Sequence, residues 1–214
     1  MSSRLIVEVI QSEEMLLALA SPEDRAYVEQ FGSAKRRCEV LTWRAMVRRE
    51  LGDEVAISHD EYGAPQVDTP NIYISISHSR DRVALLISDS PCAVDIEDAA
   101  RNFRNVSSKY LSAAEQLLAE RYDIFAEMWC AKEALYKYHR KGGVDYVEQI
   151  SILDPDYMHY VENEAKYAKK YMERLRKSAH PHNHYFRCKR TAENSEITII
   201  ATDRFGRKFT ISAE

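Results

Sequence analysis

The sequence predicts an α+β protein built as two similar halves, residues 1–98 and 99–214, each combining helices with a small antiparallel sheet. Three observations carry that prediction. β-branched and alternating apolar runs mark strands near both ends of the chain. Capped stretches of helical periodicity lie between them. The order of elements also starts over past Glu97, without any repeat of sequence. A length of 214 residues suits one large domain or two small ones packed together.

Each element has its own signal. Arg4 to Ile10 is dominated by β-branched residues and reads as a strand. Ser21-Pro22-Glu23-Asp24 starts a helix, with Ser as N-cap, Pro at the first helical position and acids in the first turn. The helical pattern runs, with a break at Gly32, to Leu51, and Gly52 stops it. Tyr62-Gly63-Ala64-Pro65 is a turn. Ile72 to Ser77 alternates as a half-buried strand, and Arg82 to Ser88 is a continuous apolar run of strand length. The link His78-Ser79-Arg80-Asp81 is short enough for a hairpin. After a turn at Asp89-Ser90-Pro91, Cys92 to Glu97 is a third strand.

In the second half, Ser112-Ala113-Ala114-Glu115 is a capping box opening a short helix. Another helix runs from about Tyr122 to His139 and ends at Gly142-Gly143. Val147 to Leu153 is strand-like, and an extra helical segment is expected around residues 155–178. Phe186 to Arg190, Ile197 to Thr202 and Lys208 to Ser212 read as strands.

Composition narrows the function. With 45% hydrophobic and 30% charged residues the chain has the profile of a soluble globular protein. A net charge of -4 and a pI near 6.0 argue against nucleic acid as the main partner, so any anion must be bound by local clusters. The first residues lack the apolar core of a signal peptide, and no apolar run approaches the roughly 20 residues of a membrane span. Cys38, Cys92, Cys130 and Cys188 are scattered without metal-ligand spacing and read as reduced thiols. Together these features predict a cytoplasmic protein with no membrane partner.

Two segments carry the chemistry. In Val94-Asp95-Ile96-Glu97 the two carboxylates share one strand face, where they repel unless a cation or water lies between them. Taken alone, the pair also fits a solvated strand end. In Trp129 to Lys137, helical spacing places Cys130, Glu133 and Lys137 on one face, with Lys132 adjacent and partly toward the apolar stripe. Taken alone, Glu133 and Lys137 also fit an exposed helical ion pair. Brought together, the segments make a hard-cation site flanked by lysines, which is chemistry for a phosphate ester or anhydride. His78 could donate to a phosphate from a hairpin tip. Arg36, Arg44 and Arg48 form a row on one helix face, suited to phosphate or simply to solvent. His180-Pro181-His182-Asn183-His184 lacks a completing acid or Cys and reads as a polar loop.

In order and in type, these segments resemble the 4′-phosphopantetheinyl transferases, of the surfactin-synthetase-activating (Sfp) type. The signature hydrophobic-Asp-hydrophobic-Glu stands at Val94 to Glu97, and Trp-small-x-Lys-Glu-Ala-x-x-x-Lys at Trp129 to Lys137. Upstream lie Gly63-Ala64-Pro65, Ser77-His78-Ser79 and a siderophore-type basic stretch from Lys35 to Arg44. The resemblance covers roughly residues 4–153, and five motifs in order are specific where one is weak.

The resemblance implies two α+β halves related by a pseudo-twofold axis, with the active site in the cleft between them. It implies transfer of the phosphopantetheine arm of coenzyme A to a serine of an acyl- or peptidyl-carrier protein, with release of 3′,5′-ADP. Asp95, Glu97 and Glu133 would hold Mg²⁺, Glu133 would act as general base, and Asp95 and Lys137 would complete the catalytic set. Ser77, His78, Lys132 and Lys137 would contact the donor's phosphates, and Arg36 and Arg44 its 3′-phosphate. The family is mostly monomeric. The acidic carrier would dock near Lys109-Tyr110-Leu111 or on Lys166, Lys169 and Lys170.

The chain departs from the family at Ala64, where many members carry Lys, at Asp24 and Tyr27, where basic residues are usual, and at Cys130, in place of Ser. A relative that binds coenzyme A or a carrier without transferring the arm is the alternative. An unrelated Mg²⁺-dependent phosphohydrolase is a third.

Overall fold

A computed structural model describes residues 3–98, 100–139, 143–150 and 152, together with the backbone of 196–203 and 209–213. It is an α+β protein, as its sequence predicts. The first half runs β1 (Arg4–Val9), α1 (Glu13–Leu19), α2 (Pro22–Val28), α3 (Ala34–Leu51), β2 (Ile57–His59), β3 (Pro65–Val67), β4 (Tyr73–Ser79) and β5 (Arg82–Ser88). β6 (Cys92–Asp98) leads through a 3₁₀ turn at Arg104–Lys109 into α4 (Ala113–Tyr122) and α5 (Phe125–His139). The two strands β7 (Glu196–Asp203) and β8 (Phe209–Ala213) follow.

Serine caps start the first three helices. Ser12, Ser21 and Ser33 each accept a hydrogen bond from the backbone N–H three residues on. The first of them starts α1, which the sequence reading passes over, although Ser12 followed by Glu13 and Glu14 is a start signal. Likewise the short β2–β3 hairpin, pairing Ile57 with Val67, was not expected around the Gly63 turn.

One antiparallel sheet has the order β1-β5-β4, and α3 packs on it through Val40, Leu41, Trp43, Met46 and Val47. β4 and β5 extend to Ser79 and Arg82, so the hairpin link is the two residues Arg80-Asp81, with Arg80 at φ 50°. His78 therefore lies in the strand and not in the turn, because its backbone pairs with Val83.

β6 pairs with β7, and β7 with β8, in a second antiparallel sheet. β4 and β6 meet between the two sheets, and the alternating serines of β4 stitch them together. Ser75 Oγ accepts from the Val94 N–H at 3.0 Å, Ser77 Oγ donates to Asp95 Oδ1 at 2.7 Å, and Ser79 Oγ donates to Glu97 Oε2 at 3.3 Å. Period-2 alternation, read from sequence as half burial, here supplies three polar side chains at strand spacing. α5 crosses β6 and buries Phe125, Met128, Ala131 and Leu135 in a second core with Tyr110, Leu111 and Leu118.

One expected strand is corrected. In the segment from Val147, residues 147–149 form a turn, because the Asp145 carboxylate accepts from the N–H groups of Val147 and Glu148, both at 2.8 Å. The helix expected around 155–178, the strand at 186–190, the His180–His184 loop and the lysines at 166, 169 and 170 lie outside the described residues. Among the described residues no helix is long and apolar enough to cross a membrane.

Candidate active site

A cavity of about 360 Å³ opens where α3, the Gly63–Pro65 turn, β4, β6 and α5 converge. It is lined by Arg36, Ser77, His78, Asp95, Glu97, Glu133 and Lys137, with Tyr27, Trp43, His59 and Trp129 on its walls. Seven of the residues singled out from sequence thus meet in one place.

The acids sit on the β6–α5 side. Asp95 is buried, and its Oδ1 accepts from Ser77 Oγ and from Lys137 Nζ, each at 2.7 Å. Lys137 Nζ also donates to Ser77 Oγ at 2.9 Å, so lysine, serine and aspartate close a triangle. Asp95 Oδ2 is buried and accepts from no N–H or O–H donor. The Cys130 thiol lies beside Asp95, and its pKa is pushed well up by burial and by the Asp95 and Glu97 charges. Glu97 Oε1 accepts from Trp129 Nε1 at 3.1 Å and from Arg101 at 3.0 Å. Burial and the charge of Asp95 nevertheless hold Glu97 above the usual carboxylate range. Glu133 is raised for the same two reasons, and its Oε1 accepts from the Tyr146 hydroxyl at 2.8 Å.

The opposite wall is basic. Arg36 is half exposed and donates to His78 Nε2 at 2.8 Å and to Glu39 Oε2 at 3.2 Å. His78 Nδ1 faces Glu39 Oε1 at 3.4 Å. Beyond them the Tyr27 ring stacks on His59, with centroids 5.8 Å apart and planes 9° from parallel.

Two expected ligand contacts lie elsewhere. Arg44 is 1% exposed and points away from the cavity. Its guanidinium donates to Asp24 and, at 2.9 Å, to Glu23, and it lies 4.6 Å from the Tyr27 ring centroid. The acids that start α2 capture it, so it supports the aromatic wall from behind and does not line the cavity. Lys132 is fully buried, donating to Glu115 Oε2 at 2.7 Å and to the Tyr146 carbonyl at 2.6 Å. Helical spacing carries it to the core side of α5, opposite the cavity.

Sequence reasoning missed three contributors. Tyr146 belongs to a stack of rings: it lies 6.0 Å from Trp129 and 5.4 Å from Tyr136, both nearly parallel. Glu39, inside the basic stretch, is buried beneath Arg36 and His78. Ser79 is a donor to Glu97. Of these, only Ser79 has a readable signal, because it continues the period-2 alternation of Ile72 to Ser77 by one more step.

Comparison with known proteins finds similar sequences of one family. Residues 91–191, which hold β6, α4 and α5, match the model of the 4′-phosphopantetheinyl transferase superfamily. A protein of Salmonella typhi named 4′-phosphopantetheinyl transferase AcpT is 30% identical over 129 residues, 55% of this chain and 66% of that protein. The AcpT of Escherichia coli O157:H7 is 28% identical over 149 residues, 64% of this chain and 74% of the relative. Over these stretches the chain is similar to the 4′-phosphopantetheinyl transferase superfamily. Its match to the Salmonella relatives falls just short of two thirds of their length.

The metal that the resemblance implies can be tested against the donor set. Among the described residues no three of His, Cys, Asp and Glu converge as a ready-made metal cluster, and Lys137, Tyr146, Trp129 and Arg101 donate to one oxygen each of Asp95, Glu133 and Glu97. The chemistry nevertheless fits Mg²⁺: three carboxylates line one cavity, two are raised by burial and mutual charge, and Asp95 Oδ2 is unsatisfied.

Proposed function

We propose that this protein transfers the 4′-phosphopantetheine arm of coenzyme A to a serine hydroxyl of an acyl- or peptidyl-carrier protein, releasing 3′,5′-ADP. The observation that carries this reading is the cavity itself, with carboxylates on one wall and Lys137, Arg36 and His78 positioned for phosphates. The domain match and the AcpT relatives support it.

Asp95, Glu97 and Glu133 would hold Mg²⁺, which when bound neutralises charge on the pyrophosphate as the phosphorus–oxygen bond breaks. The chain's own groups do the rest. Arg36 and His78 bind the donor's terminal phosphate. Lys137, held beside Asp95 and Ser77, offers its ammonium to the pyrophosphate. Glu133, raised above the usual carboxylate range by burial, takes the proton of the attacking serine hydroxyl directly or through water. The stacked rings behind it exclude water from the reacting groups.

Placement in the surfactin and siderophore-type group rests on the basic stretch from Lys35 to Arg44, of which Arg36 alone lines the cavity. A pseudo-twofold relation is supported only by the presence of two three-stranded antiparallel sheets, β1-β5-β4 and β6-β7-β8, the second of which takes β6 from the first half. Of the docking candidates within the described residues, Lys109 is exposed and available to an acidic carrier, whereas Tyr110 and Leu111 are buried in the core and cannot meet one.

The test is mass spectrometry of apo carrier proteins incubated with this protein, Mg²⁺ and coenzyme A. A gain of one phosphopantetheine arm, lost on adding EDTA, is expected. Binding of coenzyme A with no gain on any carrier would favour the non-catalytic alternative.

A further inference from the structure

The contact between Arg36 and His78 constrains the protonation state of the imidazole. Arg36 is a donor only, so at 2.8 Å His78 Nε2 must be the acceptor and carry no proton. The remaining ring proton is then on Nδ1, the nitrogen that faces Glu39 Oε1 at 3.4 Å. Glu39 is 5% exposed and also takes Arg36 at 3.2 Å and Lys35 at 3.8 Å, so one buried carboxylate anchors the whole group. The charges acting most on His78 are Lys35, Arg36 and Glu39 from α3 and Lys137 from α5, and the carboxylates Asp95 and Glu97 of β6 and Glu133 of α5 line the same cavity. Burial pushes the imidazole below its ordinary value, Glu39 raises it, and the three cations lower it further.

A protonated His78 would bring an N–H toward the Arg36 guanidinium, two cations with no acceptor between them. An anion with two charges placed between them accepts from both. We propose that Arg36, His78 and Glu39 form a self-paired anion clamp, in which Glu39 fixes the His78 tautomer and a phosphomonoester dianion enters between Arg36 and His78 as His78 takes up a proton from solvent. Glu39 is a positioning residue here, acting only through the two groups it holds. Both clamp residues line the cavity and are half exposed, so the pair can part to admit a ligand. The inference rests on the proposed function only for the identity of the anion, a terminal phosphate of the donor.

The sign follows from linkage. A group raised by ligand binding takes up protons, so the clamp's affinity for a dianion falls as pH rises through the ligand-bound His78 value. Sulfate, which keeps both charges over the range where imidazole titrates, is the probe.

Imidazole ¹⁵N and ¹H NMR of the whole protein, titrated with pH in the absence and presence of sulfate, reads both parts of the proposal. Expected in the wild type are the Nδ1–H tautomer and an upward move of the His78 midpoint on adding sulfate. Arg36→Met, at an exposed position, should raise the sulfate-free midpoint and abolish most of the sulfate effect. Glu39→Met should lower the midpoint and leave the two tautomers mixed. An Nε2–H tautomer in the wild type, or a His78 titration indifferent to sulfate, would overturn the clamp without any variant having to fold. Loss of carrier modification with the sulfate effect intact would remove the proposed function and leave the clamp standing.

Discussion

The two walls of the cavity solve the same problem, charge held out of bulk water, in opposite ways. On the basic wall, Arg36 and His78 are half exposed and satisfied mainly by each other and by one buried acid, Glu39. On the acidic wall, Asp95 is buried, and Glu97 and Glu133 are fixed by donors on packed aromatic rings, Trp129 and Tyr146. The first arrangement is closed on itself and must open to bind. The second is preset, with one oxygen of Asp95 left unsatisfied. Binding groups can tolerate rearrangement, but groups that meet charge in a transition state act best when already oriented.

That contrast predicts the largest effects on the acidic wall. Glu133→Ala and Lys137→Ala should each reduce transfer to carrier protein by about 10²-fold or more, with the protein still folded, because both side chains border the cavity. Wild-type-like transfer by Glu133→Ala, measured by the carrier's mass gain, would remove Glu133 as base.

Arg44→Ala should act on stability and not on ligand. Removing one partner of a buried ion pair costs about 3–5 kcal/mol, read as a lower urea midpoint. The effect depends on pH. Burial pushes the Asp24 carboxyl up, but hydrogen bonds from Arg48 and Arg44 outweigh it and hold Asp24 below its usual value. A carboxyl lowered by folding contributes stability above its unfolded value and loses it as pH falls through its folded one. The gap between wild type and Arg44→Ala should therefore narrow in acid. A gap unchanged down to strongly acidic pH would assign the loss to packing against Tyr27 instead.

On the basic wall the effect is smaller. Arg36→Ala should weaken coenzyme A by about 10-fold, the cost of a charge-assisted hydrogen bond, and 3′-dephospho-coenzyme A much less. Equal weakening of both, by calorimetry, would move the 3′-phosphate contact elsewhere.

These different fates mark what the sequence could reveal. Asp95, Glu97, Glu133 and Lys137 share a cavity because strand period 2 and helix spacing i,i+4 are local rules, and local rules are legible. Arg36 and Arg44 lie on the same row of α3 by those rules. Their separation was set by Glu23 and Asp24 of α2, a tertiary contact that helical spacing does not encode. Lys132 shows the same limit. Its partner Glu115 was read as a capping-box acid, which it is, but its carboxylate also reaches the Lys132 ammonium and the Ile152 N–H. The strand expected from Val147 failed because Asp145 turned the chain through backbone hydrogen bonds that apolar periodicity ignores.

The finest distinction concerns Tyr146, thirteen residues from the acid it serves. Its hydroxyl is kept protonated by burial and by the Glu133 charge, which push its pKa up, so it remains a donor. Tyr146→Phe keeps the ring between Trp129 and Tyr136, and keeps the backbone carbonyl that Lys132 uses, while deleting one hydrogen bond to Glu133. A lost hydrogen bond to a charged group is worth about 1.5–3 kcal/mol, so turnover should fall at least about 10-fold with little change in coenzyme A affinity. Lys132→Met attacks the same acid from further away, by freeing the segment that carries Tyr146, and should lower stability as well as turnover. If Tyr146→Phe instead weakens coenzyme A and spares turnover, the aromatic stack is a binding wall, and the contrast between a preset acidic side and an opening basic side fails there.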